Sequence, residues 1–542
     1  MRRDRRPTAA PRTRTLVAGA ALTALLAGCG RSSPRTVLVV SLDTARADGV
    51  SLTDTAVTPR LARLAERGTV FEQAIAGSSW TLPSHAQMFT GQPPALHGVL
   101  DDDVVIDPLT PTLPELLDDQ GFFTGGIYSG VYLAKAFGFG RGFDEYVNAI
   151  EGGAELEGLF ESSAELGGGE AGAAWRSFDL QSHRDVSSPR IVRAAEGLLR
   201  AAGSKDLLLF AHFFDPHYDY IPPAPYDARF TDPDYAGELD GADFWSNPRI
   251  FDEEGRPQAL PPEDLQHLLA LYLGELSWTD EHVGQIVDLL READRLENTW
   301  IFVVGDHGEE FFEHGSWGHR STLYEEQLRV PFLVVPPETA EFTAPRTVAG
   351  QVTLSDLLPT VLDALELPAS EHAVGRSLLP ALRGEPLPER PALSSLRSRP
   401  RTRVDGGQVV TDHVLVDSFR EQSSKLIRRL LVADGAATVS EVLYFDLERD
   451  PGESTPESDP SDSRLRAAYE RLEAELARLN THYDAVPHSP AESRASAGKE
   501  WLEASLQMLG YADGEPGPEG PDLEARSLPW GLRPTPPVPL DR

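Results

Sequence analysis

The chain has 542 residues, of which 40% are hydrophobic, 8% aromatic and 25% charged. This is the composition of a globular protein, so it excludes a disordered or fibrous chain, and the length allows a large buried core. The formal net charge of −36 excludes nucleic acid as an expected partner, because the two would repel each other. Binding of an anionic substrate therefore requires a bound cation or a few basic side chains that invert the local field.

The N-terminal segment has the pattern of an export signal. Six arginines within residues 2–14 precede an apolar run over residues 16–27, which is far shorter than the ~20 residues that span a bilayer. Residues 26–29, Leu-Ala-Gly-Cys, resemble the lipobox of bacterial lipoproteins. The resemblance implies a lipid anchor on Cys29, the only cysteine, and a location in the cell envelope, at the outer membrane or facing the periplasm. An ordinary signal peptide is the alternative.

Three short apolar runs each end at an acidic residue. They are residues 35–41 before Asp43, residues 206–214 before Asp215, and residues 299–305 before Asp306. Continuous runs of this length are typical of buried parallel strands. Because ligands bind at the carboxyl ends of such strands, we expect the polar side chains that follow the runs to form a site.

Helical patterns alternate with these and other strand-like runs. The pairs are a helix at 59–67 before a strand at 69–76, and a helix at 113–119 before a strand at 122–128. The clearest helix lies at residues 279–290, where apolar residues recur at core-facing spacing. Asp280 is interpreted as an acid at the start of that helix, with a supporting role at the site as the alternative. The alternation predicts a doubly wound, mainly parallel α/β sheet.

Changes in composition divide the chain into four parts. These are a signal peptide over residues 1–28, a catalytic α/β domain over 35–340, a smaller α+β domain over 341–483, and a tail over 484–542. Within the first domain, residues 151–172 are rich in Gly, Ala and Glu and are predicted to be a surface insertion. In the second, a helix is expected at 352–365, and apolar runs at 408–416, 425–432 and 442–446 predict a small sheet closed by a helix at 463–480. The tail is rich in Pro, Gly and acids, with one short helix at 500–509.

Several segments, in order, resemble the sulfatase family of the alkaline phosphatase superfamily. They are SLDTARAD at residues 41–48, SSWTLPSHAQMFTG at 78–91, GFFTGGIYS and FGFGRGFD within 112–144, FFDPHYDY at 213–220, residues 305–329, and LYFDLERDPGE at 443–453. The resemblance covers residues 35–481. It implies an alkaline phosphatase-like α/β fold and a metal-dependent ester hydrolase.

The position of the family's nucleophile is occupied by Thr81. Sulfatases carry Cys or Ser at the start of a C/S-x-P-S-R motif, which is oxidised to formylglycine, whereas the aligned segment here reads Thr-Leu-Pro-Ser-His. Oxidation of threonine would give a ketone, so formylglycine chemistry is not expected. Other members of the superfamily use an unmodified Ser or Thr, and the resemblance then implies that Thr81 attacks as a metal-activated alkoxide. A structural hydroxyl in a turn before Pro83 is the alternative.

The resemblance also implies a metal site, with four ligands: Asp43, Thr81, Asp306 and His307. The family often has a second aspartate after the first, but residue 44 is threonine. With fewer carboxylates and one imidazole, the site favours Zn²⁺ or Mn²⁺ over Ca²⁺, which is the alternative. One metal ion per site is expected.

Two further histidines are assigned to the site by the resemblance. His217 matches a substrate-binding histidine, and His319 lies where sulfatases often have a lysine, so either binds anionic oxygens or protonates the leaving group. Asp215 with His319 is the alternative basis for a second metal, although the usual Asp-x-x-x-His spacing ends here in Asp219. Two more histidines are interpreted as loop or sheet-edge residues without an assigned partner: His85 and His314.

The expected function is therefore hydrolysis of a phosphate or sulfate ester. The phosphoryl or sulfuryl group first forms a covalent adduct with Thr81 and is then transferred to water. The substrate is a small, glycan-linked or lipid-linked anionic ester, and contact with the membrane is made through the anchor on Cys29. Three alternatives stay open, namely a sulfatase that acts without formylglycine, a phosphoglycerol or phosphoethanolamine type of transferase, and a catalytically silent lipoprotein that binds a surface partner. The retained set of ligand residues disfavours the last of these.

Overall fold

The computed structural model describes residues 34–489, except residues 51, 53–54, 102–103, 151–182, 184, 254, 341, 343–345, 399–400, 406–407 and 434–435. The predicted signal peptide with Cys29, the insertion at 151–172 and the tail helix at 500–509 lie outside the described residues. Within the described ranges, no helix combines the length and the apolar character needed to cross a membrane.

The strands in chain order are β1 (Thr36–Leu42), β2 (Thr69–Phe71), β3 (Ala74–Ile75), β4 (Phe123–Tyr128), β5 (Glu145–Asn148), β6 (Leu207–Phe213), β7 (Thr299–Gly305), β8 (Glu310–Phe311), β9 (Trp317–Gly318), β10 (Arg329–Val330), β11 (Phe332–Val335), β12 (Arg346–Val348), β13 (Val352–Thr353), β14 (Ala392–Arg397), β15 (Arg401–Asp405), β16 (Gln408–Arg420), β17 (Ser424–Ala433) and β18 (Ala436–Asp446). The helices are α1 (Pro59–Ala65), α2 (Thr81–Thr90), α3 (Pro94–His97), α4 (Leu113–Asp118), α5 (Ser188–Ala202), α6 (Pro262–Glu292), α7 (Glu325–Leu328), α8 (Leu357–Ala364), α9 (Leu379–Leu382) and α10 (Ser463–Ala485). Short 3₁₀ turns lie between them at Val131–Leu133, Lys135–Phe137, Tyr226–Ala228, Phe244–Ser246, Leu296–Asn298 and Leu354–Asp356.

The central sheet has eight strands in the order β12-β2-β11-β7-β1-β6-β4-β5. Strand β1 lies between β6 and β7 and is parallel to both, while β11 runs antiparallel to β7 and β2. Every residue of β1, β6 and β7 is buried, because helices cover both faces of these strands. The prediction of a mainly parallel α/β sheet is confirmed.

The register of the central strands sets where the site lies. Leu42, the last residue of β1, is opposite Phe213 at the end of β6 and Gly305 at the end of β7. The three strands therefore end at the same level, and the residues that follow them leave the sheet at one edge. This arrangement brings Asp43 and Asp306 together at that edge.

Successive residues of β1 pack into two different hydrophobic clusters. Val37 and Val39 belong to the cluster that contains residues of α2, α4 and α8, whereas Leu38 and Val40 belong to the one that contains residues of α1, α5 and α6. The split follows from the two-residue period of a strand. Each fully buried leucine or valine contributes roughly 1.5–3 kcal/mol, so these two faces hold the edge of the sheet rigidly under the site.

The region beyond residue 340 contains the predicted small sheet. Strands β14, β16, β17 and β18 form an antiparallel sheet with β15 paired to β16, and α10 packs Leu465 and Leu472 into a cluster with Phe419 and Leu426. Strand β12 pairs with β2 of the central sheet, and the segment predicted as helical from residue 352 begins instead with β13 and a 3₁₀ turn. A reciprocal cap between Thr353 and Asp356 marks that start. The domain boundary at residue 340 stays a prediction.

The interpretation of Asp280 as the start of its own helix is wrong. Asp280 lies in the middle of α6, which begins at Pro262. Its carboxylate accepts the backbone N–H groups of Arg60 at 2.9 Å and Leu61 at 2.8 Å, in the first turn of α1. The acid thus caps a neighbouring helix, whose first N–H groups have no partner within the helix itself.

Candidate active site

Asp43, Asp306 and His307 meet at the carboxyl ends of β1 and β7. The side chains of all three are fully buried. Nε2 of His307 lies 3.4 Å from Oδ1 of Asp43 and 3.5 Å from Oδ2 of Asp306. The candidate ligand atoms of the three residues all lie within 4.8 Å of one another, which is close enough to share one cation.

Gly308, which follows Asp306 and His307, allows a close approach of two backbone segments. A Cβ atom on Gly308 would lie 2.0 Å from the carbonyl oxygen of Glu326, and the N–H of Gly308 donates to the carbonyl of Gln327 at 2.9 Å. A side chain at residue 308 would push this contact apart. The Asp-His-Gly corner therefore needs glycine for space, and His307 is held in place by the backbone behind it.

Thr81 is the first residue of α2 and faces the same cluster. Trp80 before it is extended, with φ −164° and ψ 163°, so the chain turns sharply into the helix at Thr81. Oγ1 of Thr81 lies 3.4 Å from Oδ2 of Asp43 and 3.4 Å from Nε2 of His307. The hydroxyl is therefore at the positive end of a helix, where negative charge on the oxygen is stabilised.

Each of the two carboxylates has one oxygen held by the protein and one without a donor. Oδ1 of Asp306 accepts the N–H groups of Thr44 at 3.3 Å and His307 at 2.8 Å. Among the described residues, Oδ1 of Asp43 and Oδ2 of Asp306 have no hydrogen-bond donor although both are buried. Burial of anionic oxygens without a partner is costly, so this set of donors fits a divalent cation.

The charges in the cluster act on one another strongly. Burial raises the pKa of Asp306 well above its usual range, and the charge of Asp43 adds to the rise. Burial also acts to raise the pKa of Asp43, but the hydrogen bond from His212 and the nearby imidazole of His307 outweigh it and hold that pKa well below its usual range. Burial acts to lower the pKa of His307, yet the two carboxylates raise it to about 9. These shifts favour a proton on Asp306 and on His307, and because metal ligands bind in their deprotonated forms, a cation bound here would displace both protons.

Thr44 occupies the position of the family's second aspartate. Its hydroxyl donates to the carbonyl of Pro216 at 3.0 Å, and its backbone has a left-handed φ of 50°. The side chain thus joins the loop after β6 to the end of β1 and does not point its oxygen at the cluster. The described site accordingly has two carboxylates, Asp43 and Asp306, as the sequence indicates.

His217 and His319 lie beside the cluster. The ring centroid of His319 is 4.5 Å from that of His307 and 4.7 Å from that of His217. Nδ1 of His217 donates to the carbonyl of Tyr218 at 2.8 Å. Burial, with repulsion between neighbouring imidazoles, holds the pKa of both His217 and His319 well below the usual range. The shift favours the neutral form of both rings, and an anionic ester bound beside them would favour the protonated form.

A cleft of about 880 Å³ opens beside these groups. Thr81, His217 and His319 line it together with several aromatic rings: Trp80, Tyr132, Phe214, Tyr218, Trp245 and Phe251. Arg320 also lines the cleft, with its guanidinium 3.8 Å from the centroid of the Trp80 ring and a hydrogen bond of 3.1 Å to the hydroxyl of Tyr132. The cleft has room for an organic group attached to an ester that is bound at Thr81.

Asp215 does not join His319 in a second metal site. Its carboxylate accepts the N–H groups of Ser187 at 2.8 Å and Ser188 at 3.0 Å, at the start of α5, and the indole N–H of Trp278 at 3.0 Å. Both oxygens are used by these donors. The alternative of a second metal at Asp215 is therefore not supported.

His85 lies in α2 and not in a loop or at a sheet edge as predicted, whereas His314 lies in a turn after β8, and both have partners that the sequence did not assign. His85 is fully buried one turn into α2, with Nε2 2.8 Å from the hydroxyl of Ser41 and Nδ1 2.8 Å from the carbonyl of Thr81. His314 lies 2.7 Å from the carboxylate of Glu326. The i,i+4 spacing places His85 directly beneath Thr81, which a reading of the motif as a loop could not anticipate.

His212 is not among the predicted site residues, yet its Nε2 lies 3.1 Å from Oδ2 of Asp43. The residue sits inside an otherwise apolar strand and is fully buried. A polar side chain within a continuous apolar run was the signal that could have identified it, because a buried imidazole needs a hydrogen-bond partner.

The fold and these side chains define an α/β protein of the alkaline phosphatase superfamily, with acids and an imidazole gathered at the ends of the central strands. The sulfatase family model matches residues 35–367, and the chain belongs to the sulfatase family. The chain is 29% identical to the arylsulfatase of Clostridium perfringens over 48% of its own length and 50% of that protein. It is 27% identical to the human N-sulphoglucosamine sulphohydrolase, covering 67% of this chain and 69% of the human one. The match covers 50% of the length of the Clostridium arylsulfatase and 22% of the length of the chicken arylsulfatase K, so the chain spans half or less of these relatives.

Solved structures share the fold at low identity. The BT4656 protein in complex with its substrate D-glucosamine-2-N,6-O-disulfate has a TM-score of 0.60 and 18% identity, with 84% of this chain and 99% of that one covered. The phosphonate monoester hydrolase of Agrobacterium radiobacter has a TM-score of 0.59 and 21% identity, with 83% and 96% covered. The same fold thus occurs in proteins named for sulfate and for phosphonate substrates.

Proposed function

We propose that the chain hydrolyses a phosphate or sulfate ester with Thr81 as a metal-activated nucleophile. One observation carries the proposal. The hydroxyl of Thr81 is 3.4 Å from both Asp43 and His307, next to two buried carboxylate oxygens that lack a donor among the described residues. A divalent cation held by Asp43, Asp306 and His307 would lower the pKa of this hydroxyl and offset charge on the ester.

The residues around Thr81 have separate roles in this proposal. Asp43 accepts a hydrogen bond from the Thr81 hydroxyl at Oδ2, which turns the lone pairs of Thr81 toward the cleft, and the proton that the metal-activated hydroxyl loses passes to water. His217 and His319 bind the anionic oxygens of the ester, and either donates a proton to the departing oxygen. The bond from Thr81 to phosphorus or sulfur forms as the leaving oxygen departs, and water then cleaves that same bond to free Thr81.

Threonine favours phosphate over sulfate in this scheme. Formylglycine hydrate can release its sulfate with the help of a second hydroxyl on the same carbon, but Thr81 has only one. Its adduct must therefore be cleaved by water at phosphorus or sulfur. The family and the arylsulfatase relatives support sulfate esters as the second candidate, reached without formylglycine.

The substrate is proposed to be an anionic ester on a small molecule, a glycan or a lipid-linked group. The aromatic cleft beside Thr81 supports an organic leaving group, and BT4656 binds a disulfated glucosamine. Export and a lipid anchor on Cys29 are part of the proposal and would place the site in the cell envelope. If the acceptor were a sugar or lipid hydroxyl in place of water, the same groups would make a transferase.

The test uses the chain that begins at Gly30, assayed with aryl phosphate, aryl phosphonate, phosphate diester and aryl sulfate. Thr81→Ala is expected to lower kcat by about three orders of magnitude or more, as loss of a nucleophile does, while Thr81→Ser retains turnover. Mass spectrometry of quenched reactions should find the phosphoryl or sulfuryl group on Thr81. Wild-type turnover in Thr81→Ala would overturn the mechanism. No turnover of any ester by the metal-loaded wild type would favour the silent lipoprotein.

A further inference from the structure

His212 lies behind the candidate metal site and contacts it through Asp43. Nε2 of His212 is 3.1 Å from Oδ2 of Asp43, and both side chains are fully buried. The residue belongs to β6, where it is opposite Ser41 of β1. The strand pairing therefore holds the imidazole rigidly against the back of the carboxylate.

The other ring nitrogen shows which way the hydrogen bond runs. Nδ1 of His212 faces the backbone N–H of Ser129 at 3.5 Å, and the hydroxyl of Ser129 donates to the carbonyl of His212 at 2.9 Å. A backbone N–H can only donate, so Nδ1 is the acceptor and the proton of the neutral ring is on Nε2. His212 therefore donates to Asp43.

This donation selects one oxygen of Asp43 for the cation. Oδ2 receives the imidazole N–H of His212 and lies within reach of the Thr81 hydroxyl, so Oδ1 is the oxygen turned toward His307. His85, His212 and Asp306 also have candidate ligand atoms within 4.8 Å. Both nitrogens of His85 are used by Ser41 and Thr81, and the nitrogen of His212 that faces Asp43 carries a proton. This inner trio is therefore not itself the metal site.

We propose that His212 is a positioning residue that turns Oδ1 of Asp43 toward the metal. The inference rests on the proposed metal-dependent function. Hydrogen bonds to metal ligands orient them, and their loss weakens metal affinity by about tenfold to one hundredfold. Loss of the His212 N–H should weaken binding to that extent without changing the number of metal ions bound.

The test measures binding of Zn²⁺ and of Mn²⁺ to the metal-free protein by titration calorimetry. His212→Leu removes the donor, His212→Gln places an amide N–H close to the position of Nε2, and His212→Asn is too short to reach Asp43. The matched control is His282→Gln, which replaces another buried histidine, bonded to the carbonyl of Trp278 in α6. Thermal unfolding of each metal-free variant reports whether it is folded.

His212→Leu and His212→Asn are expected to lose about tenfold to one hundredfold in affinity, with His212→Gln and His282→Gln near wild type and one ion bound throughout. Should His212→Leu fail to fold, the comparison of the Gln and Asn variants decides. Equal affinity in all variants overturns the inference while leaving the proposed function intact. Absence of metal binding by the wild type overturns the proposed function instead.

Discussion

The imidazole of His319 is hydrogen-bonded through Nδ1 to Oε1 of Glu309, at 2.9 Å. The second oxygen of Glu309 accepts the hydroxyl of Tyr220 at 3.0 Å, so the carboxylate is fixed from both sides. Glu309 is fully buried. This pair sets the direction in which Nε2 of His319 points.

Glu309→Leu should therefore impair turnover through His319. Without this carboxyl group, the ring loses its orientation, and kcat should fall by about tenfold to one hundredfold, which is less than the ~10²–10⁴-fold that a general acid contributes as a whole. Steady-state kinetics beside metal analysis checks this. Tyr220→Phe keeps the Glu309–His319 bond and serves as the milder control. If Glu309→Leu had the same kcat as wild type, Glu309 would have no role in orienting His319 for turnover.

Chelation of the metal should abolish turnover, and Zn²⁺ or Mn²⁺ should restore it better than Ca²⁺. The reason is that two carboxylates and an imidazole offer few oxygen ligands, whereas Ca²⁺ prefers six to eight. Asp306→Asn should lose most of its bound metal, because Oδ2 no longer carries charge. Elemental analysis of wild type and variant after dialysis is the measurement. Equal metal content in the two would show that the site is assigned wrongly.

Trp245 is expected to bind the organic part of the substrate. It is 49% exposed and stacks on Phe251 with ring centroids 4.7 Å apart, at the mouth of the cleft. Trp245→Ala should raise KM for an aryl ester by roughly threefold to tenfold, the worth of one aromatic contact, with little change in kcat. A methyl ester should show no such change. Leu109→Ala, at another exposed apolar side chain, is the control.

Acid should weaken the contact between α7 and the C-terminal sheet. Burial acts to raise the pKa of Glu325, but the charges of Lys425 and Arg420 outweigh it and lower that pKa to about 2. The folded value is below the ordinary 4.5, so this stabilisation is complete above pH 4.5 and is lost as the pH falls toward 2. Glu325→Gln should have a lower Tm than wild type at pH 7, and this difference in Tm should become smaller below pH 4.5. A difference that is constant with pH would contradict the assignment.

Loss of the cap that Asp280 provides should destabilise α1. Asp280→Ala removes the acceptor for two backbone N–H groups, so the free energy of unfolding should fall by about 1 kcal/mol. Asp280→Asn keeps one acceptor oxygen and should lose less. Urea denaturation of the three proteins gives the comparison, and identical midpoints would show that Arg60 and Leu61 find other acceptors.

The parts of the site that sequence could predict are those encoded within a short segment. Asp43 and Asp306 each follow an apolar run that reads as a buried strand, and Thr81 is marked by its motif. The bond from His212 to Asp43 joins residues that are 169 positions apart, so its existence depends on which strands become neighbours. The prediction for Asp280 is wrong for the same reason, because the N–H groups that its carboxylate accepts belong to another helix, α1.

Strand β1 pairs with segments that lie far from it in the chain. Thr36 is opposite Leu207 and Thr299, which come 171 and 263 positions later. Pairings of such separation are costly in loop entropy and form late in folding. Asp43 and Asp306, which follow β1 and β7, cannot converge until this sheet is complete. If the proposed metal binds, it would bind only after this sheet is complete, and the fraction of molecules that retain an ion would then report the yield of native protein.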